Sequence, residues 1–175
     1  MARRLRREGV RHGVIASSDL SRALRTAEAI GALLGAPVET HRGLREIDVG
    51  RWSGRTRDQT EATEPGVLAR IDAGEDLPRG GAERFAELVA RCAAVFDALL
   101  ARAPGGTLVL VSHGGPVRAL LRHALGAGRL DYPVLPIGNA SLTTLEGAPG
   151  AWTLSRLDDR AHLGEGGAAA DVEGA

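Results

Sequence analysis

Apolar residues follow two spacings along this chain, and the alternation between them sets the fold class. Unbroken apolar runs occur at 13–16, ending Val14-Ile-Ala16, and at 107–112, around Leu108-Val-Leu-Val111. Such runs suit parallel strands covered on both faces. Elsewhere apolar positions recur every three or four residues. Leu20, Ala23, Ala27, Ile30 and Leu34 line one helix face, which Gly35 and Pro37 end. Phe85, Leu88, Val89, Cys92, Val95, Phe96, Leu99 and Leu100 predict the clearest amphipathic helix, stopped by Pro-Gly-Gly at 104–106. Another helix is expected from the Gly-Gly-Pro116 segment to about Leu125, with Pro116 in its first turn, where a missing N–H does no harm. The arginine-rich residues 2–8 read as the end of a helix closed by Gly9, and Val38 opens a short extended piece. Residues 41–81 read as irregular, with short helices near 55–62 and 65–73. A closing strand pair is expected at 139–146 and 151–157. Strands alternating with helices make an α/β sheet with helices on its faces. The pattern predicts one domain over 1–163 and a disordered Gly/Ala/acidic tail over 164–175.

Composition removes several classes of function. The 175 residues suffice for one domain with a real core. A formal net charge of zero gives no global field for nucleic acid, and no apolar run approaches the roughly 20 residues of a membrane helix. The single cysteine, Cys92, fits a reducing cytoplasm, and its place on an apolar helix face makes it a core residue. Every basic side chain except histidine is arginine, which with the abundant Ala and Gly reads as GC-rich bacterial coding. His41, His123 and His162 lack metal-ligand spacing, so no metal and no cofactor are expected. The pattern leaves the oligomeric state open.

The chemistry concentrates at two predicted strand-to-helix turns, Ser17-Ser18-Asp19 and Ser112-His113-Gly114. Ligands of open α/β sheets sit beyond the carboxyl ends of strands, where helix amino termini offer free N–H groups to anions. The hydroxyls and carboxylate of Ser17-Ser18-Asp19 are expected to supply the helix-start hydrogen bonds. Arg22 falls near that helix start, where the dipole disfavours a cation unless an anion is bound. His113 precedes two glycines that let backbone approach a ligand. Glu46 lies in a loop that Leu44 and Ile47 anchor.

Taken in order, Ser17–Glu28 (Ser-Ser-Asp-Leu-Ser-Arg-Ala-Leu-Arg-Thr-Ala-Glu), Leu44–Gly54, Leu110–Gly115, Asn139–Ser141 and Arg160–Leu163 resemble the histidine phosphatase (phosphoglycerate mutase-like) superfamily, over roughly residues 3–163. The resemblance implies a three-layer fold with a mostly parallel sheet. It implies phosphoryl transfer to a histidine and then to water or another hydroxyl. By the same resemblance Arg22 holds the phosphate, His113 stabilises the equatorial oxygens, Glu46 is the acid/base, and Gly114 and Asn139 add pocket contacts. A small phosphate ester is the implied partner. Gly81-Ala-Glu83 stands where the family more often has Gly-Gly-Glu, a minor departure.

The larger departure concerns the nucleophile. The family opens with a central strand ending in Arg-His-Gly. Arg11-His12-Gly13 matches those letters, but no apolar strand precedes it and Val14 begins the next strand at once. Two parallel strands need a crossover of about a dozen residues. His12 is therefore expected at the amino end of its strand, roughly 13–17 Å from the pocket edge. This reading expects the first central strand, a neighbour of Thr107–Val111, and its nucleophilic histidine to be missing from these 175 residues. The expected function is a phosphomonoester hydrolase of the phosphohistidine type, inactive or impaired in this form. The alternatives are mutase-type phosphoryl transfer or non-catalytic binding of a phosphate ligand.

Overall fold

The computed structural model describes residues 1–10, 13–103, 105–126 and 135–164. Three parallel strands form its centre: β1 (Val14–Ser17), β2 (Val38–Thr40) and β3 (Leu108–Val111), in the order β2-β1-β3. Ile15 pairs with Val38 on one side and Val109 on the other. Strand alternation then sends successive side chains to opposite faces. Ala16, Leu108 and Leu110 pack with Leu44 and Leu99 on one face. Ile15, Val109 and Val111 pack with Leu5 and Ile30 on the other. Helices cover both faces as expected: α5 (Phe85–Arg102) and α6 (Gly114–Leu125) on the first, α1 (Ala2–Arg7) and α2 (Ser21–Leu34) on the second. Gly35 ends α2 in the left-handed conformation (φ +68°), donating back to the Gly31 carbonyl as a helix-closing glycine does.

β4 (Leu142–Glu146) and β5 (Thr153–Asp159) form a separate antiparallel pair. Their apolar residues enter the same two cores: Leu145, Leu154 and Leu157 on the α5–α6 side, Leu142 on the α1–α2 side. Among the described residues β3 has ladder partners on its β1 side only. Its four apolar residues all stay partly exposed, whereas Ile15 and Ala16 of β1 are 2% and 0% exposed. The outer edge of β3 is where the sequence reading expects a further strand.

Residues 41–81 leave the sheet and return, carrying α3 (Arg57–Thr63), α4 (Val67–Asp72) and single 3-10 turns at Arg42–Leu44, Gly50–Trp52 and Arg79–Gly81. The expected helix-start chemistry at Ser17-Ser18-Asp19 is corrected. Leu20 occupies the cap position of α2 and no side chain caps the helix. The polar side chains are drawn elsewhere. Ser17 donates to the Ser18 carbonyl at 2.8 Å, Asp19 pairs with Arg45, and Ser18 accepts the N–H of Leu20, at 3.2 Å, before the helix begins. The expectations for Arg11, His12, Pro104 and the tail beyond Gly164 concern residues outside those described.

Candidate active site

Ser17 pairs with Val111, so the carboxyl ends of β1 and β3 lie side by side and their turns open at one place. The Ser18 N–H donates to the Val111 carbonyl at 2.9 Å and locks the two turns together. Arg22 is the second residue of α2, and its Nε donates to His113 Nδ1 at 3.2 Å. His113 holds the cap position of α6 in extended backbone, with Nε2 2.9 Å from Ser18 Oγ. A guanidinium only donates, so Nδ1 is the accepting nitrogen and Nε2 carries the proton offered to Ser18. Burial, then the charges of Arg22 and Arg91, push the His113 pKa down to about 4. The imidazole is neutral near pH 7.

Glu46 reaches the same place from the loop after the 42–44 turn. Its Oε1 accepts the N–H of Gly115 at 3.1 Å and of Ile47 at 2.9 Å, and Oε2 lies 3.3 Å from the Gly115 nitrogen. The carboxylate thus occupies the amino end of α6, where free N–H groups and the helix dipole favour negative charge. Glycine at 115 is required for this approach: a Cβ there would stand 2.2 Å from Glu46 Oε1. The Ser112 hydroxyl adds a second anchor, donating to the Leu44 carbonyl at 2.6 Å.

Behind the loop stands a residue that the sequence reading missed. Arg91 of α5 donates to the carbonyls of Gly43 and Arg45 (both 2.8 Å) and of Glu46 (3.0 Å). It also grips Glu83 with two hydrogen bonds, at 2.6 and 2.9 Å, and Glu83 accepts the Asp48 N–H at 3.0 Å. Burial works against the charge of Arg91, and the bonds to Glu83 outweigh it, so its pKa rises. A signal was available. Arg91 lies three residues after Leu88 and four before Val95, at the edge of the buried stripe of α5. Next to it Cys92 donates to the Gly43 carbonyl at 3.3 Å, and burial pushes its thiol up to about 12, as suits a core residue. Asp19 and Arg45 join the β1 turn to the Glu46 loop through two hydrogen bonds of 2.7 and 2.6 Å.

The fold therefore brings Arg22, Glu46, His113 and Gly114, four of the expected residues, around the mouth of α6. Asn139 sits in an exposed turn before β4 and takes no part in the hydrogen bonds that join Arg22, His113 and Glu46. An arginine, a proton-bearing imidazole and a carboxylate around a helix amino end can seat an oxyanion and handle one proton beside it.

Residues 1–160 match the model of the histidine phosphatase superfamily (branch 1). The chain belongs to that family. The glucosyl-3-phosphoglycerate phosphatase of Mycolicibacterium vanbaalenii is 37% identical over 153 residues, spanning 79% of this chain and 68% of that protein. The native structure of mycobacterial glucosyl-3-phosphoglycerate phosphatase matches with a TM-score of 0.80 at 31% identity, over 90% of this chain and 82% of that one. The complex of that phosphatase with inorganic phosphate matches with a TM-score of 0.74 at 32% identity, over 83% of this chain and 76% of the other. No helix among the described residues is long and apolar enough to cross a membrane.

Proposed function

We propose that this chain is the phosphate-seating and proton-handling body of a phosphomonoester hydrolase that works through a phosphohistidine. The contact of Arg22 with His113, with Glu46 on the next helix-start N–H groups, carries the reading. Arg22 offers a guanidinium fork to the phosphoryl oxygens. His113, freed from Arg22 by the incoming dianion, takes up a proton and donates to the equatorial oxygens. In the first step the bond from phosphorus to the leaving oxygen breaks and a bond to an acceptor imidazole nitrogen forms, while protonated Glu46 gives its proton to the leaving oxygen. In the second step water attacks phosphorus, Glu46 takes a proton from that water, and the imidazole is released.

The acceptor imidazole, in this proposal, comes from outside the described residues and is not His12. Among those residues His113 is the histidine beside Arg22, and its ring nitrogens are both engaged. Gly13 precedes the first residue of β1 and Ser17 is its last, so Gly13 stands a strand's length from the turn. The open edge of β3 offers an extended segment a ladder to join.

The test is titration of the 175-residue chain with inorganic phosphate or vanadate, together with turnover of p-nitrophenyl phosphate. Binding is expected, weaker by about 10-fold or more in Arg22→Ala, which loses a charge-assisted contact. Turnover is expected at background, and unchanged in His12→Ala. Equal binding by the parent and Arg22→Ala removes the seat. Robust turnover that His12→Ala abolishes puts the acceptor at His12 and overturns the second half of the proposal.

A further inference from the structure

Ser18 is fixed through all three of its polar atoms. Its N–H donates to the Val111 carbonyl at 2.9 Å, and its carbonyl accepts the Ser17 hydroxyl at 2.8 Å. Its side-chain oxygen accepts the Leu20 N–H at 3.2 Å and lies 2.9 Å from His113 Nε2. The residue is 0% exposed. The hydroxyl oxygen is therefore a fixed point on the β1 turn, to which the ring at the start of α6 is tied. Nδ1 of that ring accepts from Arg22, so Nε2 is the protonated nitrogen and Ser18 its acceptor.

A neutral imidazole has one N–H and an imidazolium has two, and each needs an acceptor once it leaves water. On the proposed function, which this inference rests on, an incoming oxyanion draws Arg22 away from Nδ1 and the ring gains its second proton there. The new N–H meets a phosphoryl oxygen, while the old one is already held by Ser18. An oxygen that accepts the Nε2–H serves both protonation states, so the ring takes up its proton without turning. We infer that Ser18 is a positioning residue: its hydroxyl oxygen keeps the Nε2–H of His113 and so holds Nδ1 toward the phosphoryl group. The other charges around the ring do not replace this contact. Arg22 and Arg91 are cations and oppose the second proton. Glu46, the carboxylate at the same helix start, spends its oxygens on the N–H groups of Ile47 and Gly115. Asp19, next to Ser18, is paired with Arg45. Without the Ser18 oxygen, the imidazolium carries a part-buried N–H that has lost its acceptor.

Sulfate is the probe, because it has the shape and charge of the phosphate dianion and exchanges no proton near neutral pH. Any proton taken up with it comes from the protein. Calorimetry between about pH 5 and 9, with melting curves of each protein alone, compares the parent chain, Ser18→Ala and Ser18→Thr. The parent is expected to take up a proton with sulfate and to bind it more weakly as the pH rises. Ser18→Ala is expected to bind sulfate about 10-fold more weakly at the acid end, the weight of one charge-assisted hydrogen bond. At the alkaline end, where the ring is neutral in both proteins, the two should bind alike. An imidazole NMR titration in saturating sulfate should place the His113 midpoint about one pH unit lower in Ser18→Ala than in the parent. Ser18→Thr keeps the oxygen and should follow the parent in both measurements. A loss in Ser18→Ala that is the same at every pH overturns the inference, since it would make the hydroxyl a packing group. So does an unchanged His113 midpoint, or a Ser18→Thr that behaves as Ser18→Ala does. Failure of the parent to bind sulfate, or its indifference to Arg22→Ala, strikes the underlying seat instead and is separable from these results.

Discussion

Arginine–carboxylate pairs occur both behind Glu46 and in the excursion that carries α3 and α4, and they do different work in the two places. Arg51 grips Glu64 at 2.9 and 2.7 Å, as well formed as the 2.6 and 2.9 Å grip of Arg91 on Glu83. Arg57–Asp72 is equally short at 2.6 Å. Distance does not separate the two regions; water does. The side chains of Arg57 and Asp72 are 63% and 46% exposed, those of Arg91 and Glu83 26% and 14%. An exposed pair exchanges hydration for an attraction that water screens, and nets about 0–1 kcal/mol. Arg91 also satisfies three backbone carbonyls of the loop that delivers Glu46, so its loss strands several part-buried groups at once. The same chemistry is a fastening for the site in one region and surface solvation in the other.

The sharpest break of this contrast is Arg91→Met. It should lower stability by about 3 kcal/mol, because it leaves the Glu83 carboxylate and the loop carbonyls without their donor. Denaturant midpoints measure this, and Arg91→Lys should recover only a minor part, since one ammonium cannot span five bonds. A loss below about 1 kcal/mol would place Arg91 with the exposed pairs. Next in size is Gly115→Ala, expected to cost about 1–3 kcal/mol by overpacking against Glu46. Adding Glu46→Ala should relieve most of that cost, and a double-mutant cycle that proves additive would show that Glu46 does not stand where it clashes.

Smaller still is the acid response of His113, because half of the group remains in water. Its folded pKa of about 4 lies below the ordinary 6.5. The unfolded chain therefore takes up this proton first, and the stability His113 contributes is intact above pH 6.5, lost progressively toward pH 4, and unchanged below. An imidazole NMR titration should show a midpoint near 4, moving upward in Arg22→Ala; a midpoint near 6.5 in the parent would show that the site does not withhold the charge. Arg57→Met, the companion to the first test, should shift stability by no more than about 0.5 kcal/mol.

Which residues could be anticipated follows the same division. Arg22, Glu46 and His113 sit in or beside short polar segments that adjoin apolar strands and helix starts, so local pattern marks them. Arg91 and Arg118 are single arginines inside helices, and a lone helical arginine ordinarily reads as a solvated surface residue. Their partners lie far along the chain, Gly43 for Arg91 and Leu135 for Arg118, and no local spacing encodes those meetings. Asn139 shows the converse: it lies in a recognisable motif, yet the turn that carries it is exposed and outside the hydrogen-bond network.

The sequence by itself determined the succession of strands and helices, because a period of two or of 3.6 is a property of neighbouring residues. It likewise determined that two turns would carry an arginine and a histidine, since glycine, proline and the polar groups that end elements act within a few bonds of themselves. Only the tertiary structure decided that, among the described residues, β1 would be flanked on both sides and β3 on one, although the Leu-Val-Leu-Val run of β3 is the more apolar. It also decided which arginines became buried fastenings and which stayed in water. Ladder pairing and desolvation depend on residues tens of positions apart, and their energies exist only once those residues meet.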